Sequence, residues 1–314
     1  MSLEVNLILF VVSCLILVKA ASVAVKHVAL LATYLRFSEF FAAFAIAGFI
    51  SVLPELFIGI NSALAGNSIL GLGTVIGGNV IDLAVIIGLL AVLGKKINFK
   101  QRILHNNVFF VLITGLPLVL LIDGSLSQWD GVILIIAFVL YMQHMLKNEK
   151  LFVRNRAIPV LNVGKHFIIF LLSMLILFGA AHFVVEYASA LALDLMIPAV
   201  LIGLFLIAFG TTLPEFSLSL RAMLAKHKEL AIGDVMGTVA IDSSFVIGVI
   251  ALISPTENNF SLLISGGLFM IFAALLIVTF MKNGKQLTRN EGYLLLFLYG
   301  MFFLQELLLK GLIH

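Results

Sequence analysis

Charge is scarce in this chain. Only 11% of its 314 residues are Asp, Glu, Lys or Arg, while 62% are hydrophobic and the mean hydropathy is +1.20. A soluble domain carries about 25% charged residues, so the composition excludes a water-soluble fold and reads as an integral membrane protein. Cysteine is nearly absent. The single Cys14 lies in an apolar run, which excludes an internal disulfide and a zinc site built on cysteines. The seven histidines are scattered with no HxxxH-type pair, so packing or interface roles are expected for them. Nucleic acid is excluded as a partner, because the formal charge is only +3 and the bases sit in short loops. Residues 5–18 are apolar, but Glu4 precedes them and no base occurs before Lys19. A cleavable signal needs a basic start, so this segment is expected to be the first, uncleaved membrane helix.

What is present is a set of long apolar runs. A membrane helix needs about 20 mainly apolar residues, and the pattern predicts about ten: 5–32, 39–64, 68–94, 103–122, 128–146, 166–190, 196–223, 229–254, 259–281 and 290–312. The expected class is an all-α integral membrane protein in a lipid bilayer. Residues 147–165 form the only linker of any length and divide the chain into two five-helix units, 1–146 and 166–314. With the N-terminus outside, the loops after spans 1, 3, 5, 7 and 9 hold sixteen of the nineteen Lys and Arg residues. The opposite loops hold Asp123, Glu186, Asp194 and Glu257 and no base. The positive-inside rule then predicts both termini outside and the linker inside the cell.

The two units repeat a sentence. Leu53-Pro54-Glu55 is followed 27 residues after the Glu by Asp82, and Leu213-Pro214-Glu215 is followed 27 residues after its Glu by Asp242. An offset of 160 relates the copies without a gap from Leu53/Leu213 through Gly77/Gly237 to Gly88/Gly248. Five spans per copy is an odd number, so the second copy is expected upside down relative to the first, an inverted repeat. Proline lacks an N–H and clashes with the carbonyl four residues back. Pro54 and Pro214 are therefore expected to break helices 2 and 7 and to free the carbonyls of Ile50 and Gly210. A hydroxyl (Ser51 or Thr211), freed carbonyls and a carboxylate at one bend make an all-oxygen nest suited to a hard cation.

Glu55, Glu215, Asp82 and Asp242 all lie in apolar sequence. A charged Asp at a helix centre costs about 2.5–3.5 kcal/mol, so four such groups exposed to lipid would cost on the order of 10 kcal/mol. They are expected to share cations, protons or water, with at least one Asp protonated when a divalent cation is loaded. Asn79 follows Gly77-Gly78 and could reach the same place. Asp234 is expected to line an access path or to be a helix-start anion, Glu306 to pack, and Trp129 to anchor an interface. Three function classes stay open from the residues: a secondary transporter, a cation channel or sensor on the same scaffold, and an intramembrane aspartyl protease. The last is disfavoured, because Gly233-Asp234 is only half of a Gly-x-Gly-Asp motif and Ala231 stands where its first glycine belongs.

At these residues the chain resembles the sodium/calcium exchanger family, within the calcium/cation antiporter superfamily. That family carries two inverted repeats with G-T/S-S-x-P-E followed by G-S-N-x-x-N/D. Here the second copy reads Gly210-Thr211-Thr212-Leu213-Pro214-Glu215, then Gly237-Thr238-Val239-Ala240-Ile241-Asp242. The first reads Ile50-Ser51-Val52-Leu53-Pro54-Glu55, then Gly77-Gly78-Asn79-Val80-Ile81-Asp82. The resemblance implies ten helices and antiport of Ca²⁺ against Na⁺ in the cell membrane, with no resident cofactor and no required oligomer. By position it implies that Glu55, Glu215, Ser51 and Thr211 hold Ca²⁺. Asp82 and Asp242 fall where the family has Asn or Asp near the ions. Ala208, Thr211, Thr212, Glu215 and Thr238 would build one flanking Na⁺ site. The first copy departs from the motif at Val52 and Gly78, each of which lacks a hydroxyl the mirror-image Na⁺ site would use. Fewer Na⁺ ions per cycle, or partial or full H⁺ coupling, is the expected consequence.

Overall fold

The computed structural model of the chain describes residues 3–34, 48–98, 107–146, 162–224, 228–257 and 260–311. Parts of spans 2 and 4 and most of the linker, including Arg36, Lys100, Arg102, Lys147, Lys150, Arg154 and Arg156, lie outside them. The long apolar runs fold as helices, and each stops where the sequence supplies polar or turn residues. In chain order these are α1 (Leu3–Tyr34), α2 (Gly48–Ser51), α3 (Leu53–Leu64), α4 (Ser68–Val80), α5 (Ile87–Gly94), α6 (Asn107–Leu120) and α7 (Gln128–Leu146). The second half has α8 (Val163–Asp194), α9 (Ala199–Leu201), α10 (Ala208–Leu224), α11 (Lys228–Ile241), α12 (Ile247–Ile253), α13 (Phe260–Gly284) and α14 (Arg289–Gly311). Eight spans among the described residues are long and apolar enough to cross a membrane, and Leu53–Leu64 and Val108–Asp123 are shorter apolar helices. This is a multi-pass, all-helical membrane protein.

Three π-helical stretches join helices into longer spans: Ile81–Ile86 between α4 and α5, Ile202–Ile207 between α9 and α10, and Asp242–Val246 between α11 and α12. The first and third begin at or beside Asp82 and Asp242, one repeat offset apart. Pro54 sits at the start of α3, and the chain departs from regular helix at Val52, just before it. Pro214 behaves differently. It lies inside α10 without ending it, and the second copy instead departs from α geometry in the π stretch that ends seven residues earlier. A π turn also leaves carbonyls without their usual partners, so the interruption expected at helix 7 is displaced rather than lost.

Burial separates two layers. The spans Ser68–Gly94 and Ala231–Ile253 are 83% and 78% buried, whereas Leu3–Val28, Gln128–Leu146 and Val163–Asp194 are 35% buried or less. The acid-bearing spans are thus the centre, and the outer helices present Leu, Ile and Phe to lipid. Glycines set the closest crossings. A Cβ at Gly88 would lie 3.1 Å from the Gly292 carbonyl oxygen, and one at Gly292 would lie 2.7 Å from that of Gly88. Gly131 and Gly248 repeat the arrangement at 2.8 and 3.0 Å. So α5 meets α14 as α12 meets α7, each crossing joining one copy to the other. Small residues permit such backbone approach in membranes.

Two short antiparallel ribbons tie the ends. β1 (Lys96–Asn98) pairs with β4 (Gln286–Thr288), and β2 (Ser125–Leu126) pairs with β3 (Thr256–Glu257). At the first ribbon the Lys228 ammonium donates to the Gly94 carbonyl at 2.9 Å and the Arg289 N–H donates to the Lys95 carbonyl at 3.0 Å. Lys95, Lys228 and Arg289, which follow spans 3, 7 and 9, therefore gather at one end. At the second ribbon Ser68 and Thr256 share a hydrogen bond of 3.1 Å. The span from Ser68 to Gly94 runs from one ribbon to the other. Helix α1 packs along α8, with Asn6 bonded to Asp194 at 2.7 Å near one end and His27 bonded to His166 at 2.8 Å near the other.

Candidate cation site

The residues singled out in the sequence are brought together at the centre of the bundle. Glu55, Asp82, Glu215 and Asp242 are each no more than 2% exposed, and Ser51, Asn79, Ala208, Thr211, Thr212 and Thr238 are buried with them. The local geometry repeats with the sequence. The Ser51 hydroxyl donates to the Gly48 carbonyl at 2.9 Å and the Thr211 hydroxyl to the Ala208 carbonyl at 3.1 Å, positions related by the offset of 160. Thr212 donates to the Phe209 carbonyl at 3.2 Å. Val52, its counterpart, is fully buried and offers no oxygen.

The copies interlock here. Ser51 of the first copy and Thr238 of the second share a hydrogen bond of 3.1 Å. The mirror-image pair would be Thr211 with residue 78, and Gly78 has nothing to offer. Glu55 faces Thr211, and Glu215 has Asp82, Glu55 and Asp242 as electrostatic neighbours. Glu55 and Asp82 are likewise the neighbours of Asp242. Four carboxylates thus share one low-dielectric region. No N–H or hydroxyl donor among the described residues reaches Glu55 Oε2, either Asp82 oxygen, Glu215 Oε1 or Asp242 Oδ1, and the Asp82 and Glu215 carboxyl groups meet each other instead. Native proteins leave few buried polar atoms unpaired, and an unpaired buried carboxylate is among the most costly. No three acidic, His or Cys side chains among the described residues converge in metal-binding geometry. A cation here would therefore draw much of its shell from hydroxyls and carbonyls.

Asn79 is buried as expected, but its amide points elsewhere. Nδ2 donates to the Ser243 hydroxyl at 3.0 Å and contacts the Met270 sulfur at 3.4 Å, while Oδ1 has no partner. Ser243 and Ser244 are fully buried beside Asp242, and Ser244 donates to the Ala240 carbonyl at 2.6 Å. Sequence reading missed both. Their only signal was two consecutive hydroxyls directly after the repeated Asp.

A family model described as sodium/calcium exchanger protein matches residues 5–147 and 165–306, almost the whole chain. The chain belongs to the sodium/calcium exchanger family. This is a family of transporters. The putative antiporter CaxA of Alkalimonas amylolytica is 25% identical over 301 residues, covering 92% of this chain and 94% of CaxA. The sodium/calcium exchanger MaX1 of Methanosarcina acetivorans is 33% identical over 118 residues, which is 38% of this chain and 34% of MaX1. Among solved structures, the sodium-calcium exchanger NCX_Mj soaked with Na⁺ and Sr²⁺ superposes with a TM-score of 0.68 at 24% identity, over 96% of this chain and 98% of that one. The H⁺/Ca²⁺ exchanger CAX superposes with a TM-score of 0.78 at 16% identity, over 96% and 82% respectively. At these identities the superpositions establish the fold.

Proposed function

We propose that this member of the family is a secondary active antiporter that moves Ca²⁺ across the membrane in exchange for Na⁺, with H⁺ replacing part or all of the Na⁺. The observation that carries the proposal is the buried set Glu55, Asp82, Glu215 and Asp242 with unpaired oxygens in the interlocked centre. Such groups in a membrane are retained where they serve ions, protons or water. Ca²⁺ takes about 6–8 oxygens, and Glu55, Glu215, the Ser51 and Thr211 hydroxyls and the carbonyls freed by Pro54 and Pro214 would supply them. Thr212, Thr238 and Ala208 would complete a flanking Na⁺ site, and Asn79 would hold the wall through Ser243. The cations are cargo, and no resident cofactor or enzymatic step is needed.

The ribbons support the inverted layout and its two five-helix units, 1–146 and 166–314, on either side of the linker. Adding 160 to β1 reaches β3, and adding 160 to Leu126 of β2 reaches Gln286 of β4. Yet β1 pairs with β4 at the basic end and β3 with β2 at the other. Counterparts at opposite ends are what inversion requires. The basic end would face the cytoplasm of a plasma-membrane protein, leaving both termini outside. Helices α1 and α8 are bonded to each other near both ends and lie beside the central helices. They would be the part that slides as the site opens to one side and then the other. A channel on this scaffold would not need Ca²⁺ and its counter-ion to compete for the same carboxylates.

H⁺ coupling is favoured by one specific contrast. The first copy lacks hydroxyls at Val52 and Gly78, and Asp82, one turn after Gly78, meets the Glu215 carboxylate with no hydroxyl or N–H donor to either of its oxygens. A Na⁺ ion sheds water only where oxygens replace it, whereas a proton needs a single carboxylate. Radioactive Ca²⁺ uptake into proteoliposomes, driven by an outward Na⁺ or an outward H⁺ gradient, tests both readings. Flux with either gradient, lost in Glu55→Gln and in Glu215→Gln, is the expected result. Robust flux in both variants refutes the site, and flux without any counter-ion refutes antiport.

A further inference from the structure

Helix α10 carries Thr211, Glu215 and Ser219 at four-residue steps, and α11 with its π stretch carries Asp234, Thr238 and Asp242 at the same steps. Residues four apart share a helix face. The two helices pack together, and the rungs of this seam can be read off. At the centre Thr238 bonds to Ser51 of α2 in the first copy, and further out the Ser219 hydroxyl bridges α10 and α11 by contacting Asp234 Oδ2 at 3.4 Å. Asp234 is half-buried and Ser219 fully buried. Lys228, six residues before Asp234, is anchored on the basic end through Gly94. At a rise of about 1.5 Å per residue, Asp234 lies roughly 9 Å inside that end and roughly 12 Å short of Asp242.

The first copy closes the corresponding seam. Its residues are Ser51, Glu55 and Gly59 on one side and Thr74, Gly78 and Asp82 on the other. Ile250 fills the place of a side chain at Gly59, where a Cβ would lie 2.7 Å from its Cδ1. Thr74 is fully buried and satisfied by the Leu70 carbonyl on its own helix, at 2.9 Å. At these corresponding positions, among the described residues, the polar seam continues outward along the second copy, toward the basic end. Two further observations point from it to a ligand. Glu215, one turn from Ser219 on the same face, is 2% exposed with an unpaired Oε1. Asp234 is also an electrostatic neighbour of Asp82 across the copies.

We propose that Asp234 and Ser219 form an outer divalent-cation station, through which a cation passes between the central carboxylates and the basic face. This rests on the cation-antiport reading above and adds a sided access residue to it. A negative charge outside the centre raises the local cation concentration on one face only. The expected signature is therefore a sided change in affinity.

Two measurements test it. Radioactive Ca²⁺ uptake is measured in sealed vesicles of both orientations for wild type, Asp234→Asn and Asp234→Glu. Asp234→Asn should raise the KM for Ca²⁺ at the basic face about three- to tenfold, the scale of one half-buried charged contact. The KM at the opposite face and the maximal rate should stay within about twofold, and Asp234→Glu should restore most of the loss. The second measurement needs no flux. In a Cys14→Ser background, Asp234→Cys should react with a membrane-impermeant thiol reagent from the basic face only, more slowly when Ca²⁺ is present. Equal KM changes at both faces, no change at either, or labelling from the opposite face or unaffected by Ca²⁺ would overturn the station. Wild type without Ca²⁺ flux, but with sided and Ca²⁺-sensitive labelling, would refute the antiport reading and leave the station standing.

Discussion

Gly77 and Gly78 are neighbours in α4, yet alanine should affect them in opposite ways. A Cβ at Gly77 would fall on the backbone of Leu204 in the π stretch before α10, 2.6 Å from its Cα and 2.7 Å from its carbonyl carbon, with the carbonyl oxygen closer still. Backbone cannot rotate aside, so the two central spans must separate. A Cβ at Gly78 would meet only the Thr212 methyl at 3.7 Å, an ordinary contact. Alanine gains about 0.5–1 kcal/mol over glycine inside a helix, whereas overpacking costs about 1–3 kcal/mol or more. Gly78→Ala should thus be neutral or slightly stabilising, and Gly77→Ala should lose about 1–3 kcal/mol net. At about 2–4 °C per kcal/mol for a large chain, the two variants should differ by on the order of 5 °C in melting temperature. Thermal unfolding in one detergent, followed by fluorescence-detected size exclusion, reads this directly. Transport should fall in Gly77→Ala as well, because α4 positions Asp82 opposite Glu215. Equal stability of the two variants would mean that α4 and the π stretch do not cross at this distance, and the packing argument would fail.

Restoring the missing hydroxyls, Val52→Ser with Gly78→Ser, should steepen the Na⁺ dependence of Ca²⁺ uptake, since position 78 has room beside Thr212; an unchanged Na⁺ response counts against H⁺ having taken over that role. Ser243→Ala leaves the buried Asn79 amide with only the Met270 sulfur and should cost about 1–3 kcal/mol in thermal or denaturant unfolding; a neutral result would mean that water replaces the hydroxyl. The His27–His166 bond of 2.8 Å ties α1 to α8 near one end, so His27→Ala should raise amide exchange in this part of both helices, and unchanged exchange would mean that the contact adds no local stability.

What the sequence made legible, and what it hid, follows from how each feature is encoded. Span ends were readable because desolvation acts on every residue in a run, and the span at 128–146 matches α7 end to end. The four carboxylates were readable because a charge in an apolar run is costly wherever it points. Ser243, Ser244 and the Ser219–Asp234 contact were not, since a buried hydroxyl costs little and its partner is fixed only by packing. The π stretches were hidden because one inserted residue per turn leaves hydropathy unchanged. The Gly131–Gly248 and Gly88–Gly292 crossings escaped because Gly131 and Gly292 are 161 apart, not 160, so an ungapped comparison passes over them.

The two copies agree at some positions of the centre and its seams and differ at others. Positions 54/214, 55/215, 77/237 and 82/242 are identical in the two halves, while 52/212, 59/219, 74/234 and 78/238 differ. Of these, Glu55, Asp82, Glu215 and Asp242 share the buried centre, where on the proposed inverted layout one ion is approached from two directions by equivalent groups. Each half must then present the same chemistry. The differing set lies partly along the seams and partly at the flanking sites, where the halves need not be equivalent. A seam that leads toward one face sees one aqueous phase, with its own cation concentration and potential, and its mirror image would see the other. If the proposed station exists, Asp234 and Ser219 on one side, against Thr74 and Gly59 on the other, are where the inverted scaffold would acquire a direction.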